Sequence, residues 1–253
     1  MNVHGIKAIY RFEMARWGRT LWQSLVAPVI TTSLYFLVFG SAIGSRMSAM
    51  AGVDYGSFIV PGLILLSVLT QAIMNASFGI YFPKFTGTIY ELLSAPISPL
   101  ETVIAYVGAA ATKAVILALV TLATATLFVT VTIDHPLLML LFLAAIAIGF
   151  CLLGFAIGIW AQNFEQLQVV PLLVVTPLTF LGGVFYSVTS IGEPWRTVTH
   201  LNPILYLVSG YRWTFFGITD VPLWTSVAVM AAAIALPMTI ITIMFRTGYR
   251  LKT

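Results

Sequence analysis

The sequence predicts an all-α membrane protein with six membrane-spanning helices, and two observations lead to this fold class. First, 60% of the 253 residues are hydrophobic and only 8% are charged, whereas a soluble domain carries roughly 25% charged residues. Second, apolar runs recur along the chain at a length of about 20 residues, which a helix needs to cross a bilayer. The chain therefore has too little polar surface to stay dissolved in water.

Polar or proline-containing intervals separate the apolar runs into six predicted spans within one transmembrane domain, residues 1–253. The spans cover residues 22–43, 57–80, 102–131, 136–160, 167–186 and 223–245. An even number of spans places both termini on one side of the membrane. Cations are concentrated on that side, at Lys7, Arg11, Arg16, Arg19, Lys84, Arg246, Arg250 and Lys252. The opposite side carries Arg46, Arg196 and Arg212, so the positive-inside rule predicts cytosolic N- and C-termini.

The net charge of +4 is better explained by orientation signals and anionic lipid than by nucleic acid, because the cations lie beside apolar runs near the chain ends. We therefore expect membrane lipid as a partner and no nucleic acid. Within residues 1–21, apolar side chains recur at helical spacing while the basic residues fall off that stripe, which predicts an amphipathic helix in the headgroup layer. A basic flank that only orients the first span is the alternative.

Residues 81–101 form a polar interval between the second and third predicted spans. It carries an apolar stripe of Ile89, Leu92 and Leu93. Pro96 and Pro99 limit any helix here to a couple of turns, because proline lacks a backbone donor and restrains the residue before it. We expect a short cytosolic helix that docks on a partner and transmits force into the third span. An ordinary loop helix is the alternative.

Several further features bear on chemistry. Lys113 is the only ionisable residue well inside a predicted span, and it is either functional or a long side chain that reaches a wet cleft. The predicted spans contain no deep carboxylate, which disfavours a proton-coupled carrier.

Gly154 and Gly158 have the spacing of a close helix–helix contact. The sequence has no GxxxxGK[ST] motif, no metal-ligand spacing and no nucleophile–base arrangement, so we expect no enzyme activity and no cofactor bound by this chain.

Three motifs occur in order along the chain: ELLSAPISPLE at 91–101, FLGGVFYS at 180–187 and HLNPILYLVSGYRW at 200–213. Together with six spans and a basic amphipathic N-terminal helix, they resemble the ABC-2-type permeases, the membrane subunits of ATP-binding-cassette exporters. The likeness covers essentially the whole chain and is greatest to small bacterial subunits of the polysaccharide, lipo-oligosaccharide and drug exporter group.

The resemblance implies a bacterial inner-membrane protein, a permease dimer, and two copies of a separate ATPase subunit that binds ATP and Mg. It also implies three groups of functional residues. The ATPase-coupling residues would be Ile89, Glu91, Leu92, Leu93, Pro96, Arg11 and Arg16. The substrate pathway on spans two and five would include Met74, Phe78, Thr179 and Phe180. A re-entrant exit region, residues 187–222 with the preceding glycines, would include Gly183, Glu193 and Arg212.

The predicted function is that of a permease subunit which exports an amphiphilic or lipid-linked molecule, such as a glycolipid, a lipo-oligosaccharide or a hydrophobic drug. ATP hydrolysis would occur on the partner subunit. Two alternatives remain at this stage: a membrane scaffold or assembly factor that translocates nothing, and an ATP-independent carrier. No residue identifies the cargo, and the resemblance is the sole argument for the outward direction. Whether the dimer is homomeric or heteromeric is also left open.

Overall fold

A computed structural model describes residues 1–43, 50 and 52–250, and no β-strand forms among them. Twelve α-helices follow one another along this part of the chain. They are α1 (Val3–Gly18), α2 (Leu21–Tyr35), α3 (Tyr55–Phe58), α4 (Val60–Thr86), α5 (Ile89–Ser94), α6 (Pro99–Ala125), α7 (Pro136–Trp160), α8 (Phe164–Val170), α9 (Thr176–Leu181), α10 (Trp195–His200), α11 (Pro203–Phe216) and α12 (Leu223–Thr247). A π-helical segment, Phe36–Ile43, extends α2, another, Pro171–Val175, joins α8 to α9, and a 3₁₀ turn spans Val188–Ser190.

Six segments of the described chain are long and apolar enough to cross a membrane, which confirms the predicted number of spans. They are Leu21–Gly40, Tyr55–Thr86, Pro99–Ala125, Pro136–Trp160, Phe164–Leu181 and Leu223–Thr247. The end of the first predicted span, residues 41–43, is helical in backbone, and residues 44–49 lie outside the described residues. The third and fifth spans end several residues before the predicted limits of 131 and 186.

The interval between the second and third spans is shorter than the predicted 81–101. Helix α4 continues through Pro83 and ends at Gly87, whose φ of +80° is a left-handed conformation that glycine adopts without strain. Helix α6 begins at Pro99, and its start is fixed by reciprocal hydrogen bonds between Ser98 and Glu101. The six-residue helix α5 occupies the interval, as the two prolines predict.

Helix α4 lies at the centre of the bundle and packs against α6 and α7. Its contact with α7 depends on two glycines. A Cβ atom at Gly154 would lie 2.4 Å from the carbonyl oxygen of Ile73, and one at Gly158 would lie 2.5 Å from that of Ser77. The two backbones therefore approach more closely than any larger residue permits, as the small-residue spacing on α7 predicts.

Helix α1 runs alongside α6 in the same direction. Asn2 contacts Glu101, Tyr10 donates a hydrogen bond to Thr112 over 3.0 Å, and Glu13 contacts Lys113. Because the offset between partners stays close to 100 residues, the helices are parallel over about 18 Å at ~1.5 Å per residue. The helix predicted for residues 1–21 is present, and its location in the headgroup layer stays a prediction.

The predicted irregular segment 187–222 folds into the 3₁₀ turn, α10 and α11. Helix α11 is buried on nearly all sides, including at Leu205, Val208, Tyr211 and Phe215. Its 14 residues would span about 21 Å at ~1.5 Å per residue, which is less than the ~30 Å hydrocarbon core. A helix of this length can enter a membrane without crossing it, and its re-entrant position stays a prediction.

Candidate functional site

Apart from its accessible last turn, residues 83–86, helix α4 is buried except for one stripe of partly or fully exposed residues, which recur every three or four positions. They are Ser67, Thr70, Gln71, Met74, Asn75, Phe78 and Phe82. The hydroxyl of Thr70 and the side-chain amide of Asn75 donate hydrogen bonds to backbone carbonyl oxygens of the same helix. A stripe that mixes polar and aromatic groups is unsuited to plain lipid contact, since polar groups in hydrocarbon are costly.

Two cavities lie over this stripe, one toward each end of α4. The first, of about 300 Å³, lies between α2, α4 and α9 and is lined by Tyr35, Ser67, Thr70, Gln71 and Phe180 among others. The second, of about 310 Å³, lies between the α1–α2 junction, α4 and α6. Its lining comprises Arg16, Trp17, Thr20, Ser24, Met74, Asn75, Phe78, Phe82 and Lys113. We call the stripe and its two cavities the α4 groove.

Three of the four predicted pathway residues lie in the α4 groove. Met74 and Phe78 lie on the stripe, and Phe180 lines the cavity beside α9. Thr179 does not, because its side chain is fully buried and its hydroxyl donates a hydrogen bond to the carbonyl oxygen of Val175. Gln71 and Asn75 line the groove and were not predicted. Ser67, Gln71 and Asn75 are four residues apart, and this helical spacing of polar residues could have predicted that they share one face of α4.

Three charged side chains meet at the second cavity. One carboxylate oxygen of Glu13 accepts hydrogen bonds from Arg16 over 2.7 Å and from Lys113 over 3.0 Å. The side chains of Glu13 and Lys113 are only 2% and 4% exposed. The other oxygen of Glu13 has no hydrogen-bond partner among the described residues. Lys113 therefore pairs with a buried acid on α1, and we call these three residues the Glu13 cluster.

The predicted ATPase-coupling residues do not form one exposed surface. The side chain of Ile89 is 3% exposed and turns into the bundle, and Leu92 is half-buried beside it. Glu91, Leu93 and Pro96 are exposed. Ile89 thus anchors α5 on its inner face, Glu91 and Leu93 lie on its exposed side, and Pro96 is exposed in the bend that follows. Arg11 is exposed on α1, whereas Arg16 is half-buried in the Glu13 cluster and lines the groove.

The start of α1 contacts the bend that follows α5. The side-chain amide of Asn2 donates a hydrogen bond to the carbonyl oxygen of Pro96 over 3.0 Å, and its backbone N–H donates to Glu101. The terminal amine of Met1 lies 3.8 Å from the same carboxylate. The start of α1, the bend after α5 and the start of α6 are therefore joined at one point.

The opposite end of the bundle holds a second buried ion pair. Arg212 is 1% exposed, pairs with Asp220 over 3.0 Å, and donates a hydrogen bond to the carbonyl oxygen of Gly183 over 2.6 Å. Its guanidinium lies 3.9 Å from the ring centroid of Phe58. Glu193 is exposed and accepts a hydrogen bond from Thr197, away from Arg212. Gly183 and Arg212 are thus brought together, and Glu193 is not.

A bundle of six spans, with a groove along its central helix and a short exposed helix at one end, is the architecture of a membrane transport protein. Among the described residues, no group of three or more His, Cys, Asp or Glu is placed to hold a metal ion.

Comparison with known proteins identifies the family. Residues 4–216 match the ABC-2 type transporter family. The chain is 41% identical over 229 residues to the inner membrane transport permease YadH of Escherichia coli strain K12, with 90% of each chain covered. It is 23% identical over 244 residues to nodulation protein J of Rhizobium leguminosarum bv. viciae, with 94% of this chain and 93% of the relative covered. The chain therefore belongs to the ABC-2 type transporter family, as its motifs suggest, and is a multi-pass inner-membrane permease.

Proposed function

We propose that this chain is the membrane subunit of an exporter that moves an amphiphilic or lipid-linked molecule outward along the α4 groove. The groove carries the proposal, because it runs along the accessible stripe of α4 and combines amide, hydroxyl and aromatic groups. ATP and Mg would bind to two copies of a separate ATPase subunit, a kind of partner that the ABC-2 family implies. The outward direction follows the exporter group that the motifs resemble.

A second copy of the same chain would cover the groove. The first, fifth and sixth spans are mostly exposed in the single chain, in contrast to the buried second span. One of the two groove cavities lies between two of these exposed spans, since α2 and α9 form its walls. A dimer about this face would enclose both grooves in one pathway, and lipid would cover the exposed face of α12.

The ATPase would act on the end of the bundle that carries α5, with both termini in the cytosol. Glu91 and Leu93 are exposed on α5, Pro96 is exposed in the bend that follows it, and Arg11 is exposed on α1. A push on α5 would reach α6 through the Pro96 bend and α1 through Asn2. Movement of α1 and α6 would change the width of the groove, and differential affinity of the cargo for the two states would supply direction.

Reconstitution with the ATPase tests this proposal. We expect the chain, co-expressed with its ABC ATPase partner, to co-purify with that subunit and to support ATP-dependent flux of an amphiphile in vesicles. A scaffold would bind the ATPase and move nothing, and a carrier would support flux without ATP. Either result would refute the proposed function.

Reversing the charge on α5 tests the coupling step. Glu91 is exposed, so Glu91→Lys should leave folding intact, because surface substitutions usually change stability by less than about 0.5 kcal/mol. We expect ATP hydrolysis to continue while ATP-driven flux falls. The matched control is Glu165→Lys, which reverses an exposed acid on α8. Flux at the wild-type level in Glu91→Lys would remove α5 from the coupling path.

A further inference from the structure

We infer that Arg16 and Lys113 form a binding site for the anionic head group of an amphiphile, in the cavity of the α4 groove beside α1. The inference rests on the proposed function, because it specifies which class of amphiphile the α4 groove accepts. Binding can be measured without transport, so the two claims can fail separately.

The first argument is charge. Within the part of the chain that the structure describes, Glu13 is the one carboxylate paired with either cation. One acid against two cations leaves the Glu13 cluster with a surplus of one positive charge. Lys113 is 4% exposed, and a charge held away from water is costly unless a counter-charge offsets it. Arg16 is 32% exposed and therefore partly solvated. An anion in the cavity would supply that counter-charge.

The second argument is the number of available donors. An arginine side chain has five N–H groups and a protonated lysine has three. Arg16 and Lys113 each donate one hydrogen bond to the same oxygen of Glu13, and both also line the cavity of about 310 Å³. Their other donors can therefore bind a phosphate or carboxylate, and charge-assisted hydrogen bonds of this kind are among the stronger ones.

The third argument is the unsatisfied oxygen of Glu13. This atom is buried and accepts no hydrogen bond from any described residue. Buried polar atoms are nearly always paired in proteins, so an exception points to a group that is absent from the chain itself. Glu13 does not itself line the cavity, so a ligand hydroxyl would reach this acceptor only if the Glu13 side chain turned toward the cavity.

The rest of the lining defines the remainder of the ligand. Trp17, Met74, Phe78 and Phe82 provide an apolar wall next to the cations. The cavity volume lies at the lower end of the range for small-molecule sites, which is about 300–1,000 Å³. A site with two cations at one side and aromatic rings at the other fits an anionic head group with the start of its hydrocarbon chain. A neutral or cationic amphiphile would leave the surplus charge unbalanced.

Thermal unfolding with defined lipids tests the site. The purified full-length chain in a neutral detergent is mixed with dioleoyl phosphatidylglycerol, with dioleoyl phosphatidylcholine, or with inorganic phosphate. A ligand that binds the folded state raises the unfolding temperature in proportion to its affinity and concentration. We expect phosphatidylglycerol to raise it more than the other two. An equal shift with inorganic phosphate would show a site for a free anion and would overturn the assignment to an amphiphile.

Two variants and one control locate the effect. Lys113→Gln should weaken phosphatidylglycerol binding at least about tenfold, which corresponds to ~1.4 kcal/mol, because the variant loses a charge-assisted hydrogen bond to the anion. Glu13→Gln should strengthen binding, because the surplus charge rises while the cations remain. Lys7→Gln removes an exposed cation from α1, the helix that carries Glu13 and Arg16. This variant controls for general attraction of the anionic lipid to the surface of α1. It should bind as the wild type does.

A purely structural ion pair gives a different result. In that case Lys113→Gln and Glu13→Gln would both lower the unfolding temperature without lipid, and neither would change the shift caused by phosphatidylglycerol. That outcome would overturn the inference, as would equal weakening by Lys7→Gln and Lys113→Gln. Either result could coexist with ATP-driven flux of the wild type, which would leave the proposed function standing.

Discussion

The two buried ion pairs of this permease lie toward opposite ends of the bundle and differ in charge balance. At the α11 end, Arg212 is paired with one acid and is also bound by a carbonyl oxygen and an aromatic ring. At the α1 side of the groove, the Glu13 cluster contains two cations for one acid and opens into a cavity. The first arrangement is suited to holding a structure in place, whereas the second is suited to receiving a ligand.

The surroundings of the two pairs agree with this difference. Asp220 also accepts a hydrogen bond from Ser187, and its backbone N–H donates to Ser209 over 2.9 Å, so this acid is held from several directions. Arg212 retains one buried N–H without a partner among the described residues, but no space adjoins it in either groove cavity. A balanced pair without a cavity should matter for stability, and an unbalanced pair with a cavity should matter for binding.

The largest expected effect is from Arg212→Ala. The substitution leaves Asp220 buried and unpaired, and removal of one partner from a buried ion pair costs about 3–5 kcal/mol. We expect a large drop in the unfolding temperature and in the yield of folded protein. Glu193→Ala is the control, because this acid is exposed on the same segment. Equal stability of the two variants would show that the Arg212 pair does not hold this end together.

The next effect concerns the α4–α7 contact that connects the two ends. Gly154→Ala places a methyl group 2.4 Å from the carbonyl oxygen of Ile73, and such overpacking typically costs about 1–3 kcal/mol. Gly18→Ala is the control, since no atom lies within 4 Å of the added group. Thermal unfolding should separate the two variants. Similar unfolding temperatures would mean that the helices move apart at little cost.

A smaller effect is expected where α1 meets the bend after α5. Asn2 caps α1 by accepting a hydrogen bond from the backbone N–H of Gly5, and it donates one to the carbonyl oxygen of Pro96. Asn2→Ala removes both bonds, and loss of a cap costs about 1 kcal/mol. Asn2→Ser keeps a capping side chain but is too short to reach Pro96. We expect Asn2→Ala to be less stable than Asn2→Ser, and both to show reduced ATP-driven flux. Normal flux in both would exclude this contact from coupling.

Features that depend on composition and short-range spacing could be predicted from the sequence. The six spans follow from apolar runs, the short α5 follows from two prolines, and the α4–α7 contact follows from glycines four residues apart. The end of α4 was harder to predict, because Pro83 suggests a break and yet lies inside the helix. Neighbouring helices in a bundle can satisfy the backbone groups that a proline leaves free.

Features that depend on contacts between distant residues could not be predicted in this way. Glu13 lies between aromatic and apolar neighbours in an N-terminal basic segment, and its burial results from Lys113, 100 residues further along the chain. The rotation of a helix is equally hard to infer. Thr179 and Phe180 are adjacent in sequence, but one is buried and the other faces the groove.

Blocking the α4 groove with a bulky label tests the central claim most directly. Phe78→Cys places a thiol in the groove, and Leu236→Cys places one on the exposed face of α12, while the native Cys151 is buried. Both variants are reconstituted with the ATPase, labelled with a large maleimide, and assayed for ATP-driven flux of an amphiphile. The account predicts that the label at residue 78 stops flux and the label at residue 236 does not. Full flux with residue 78 labelled would contradict it.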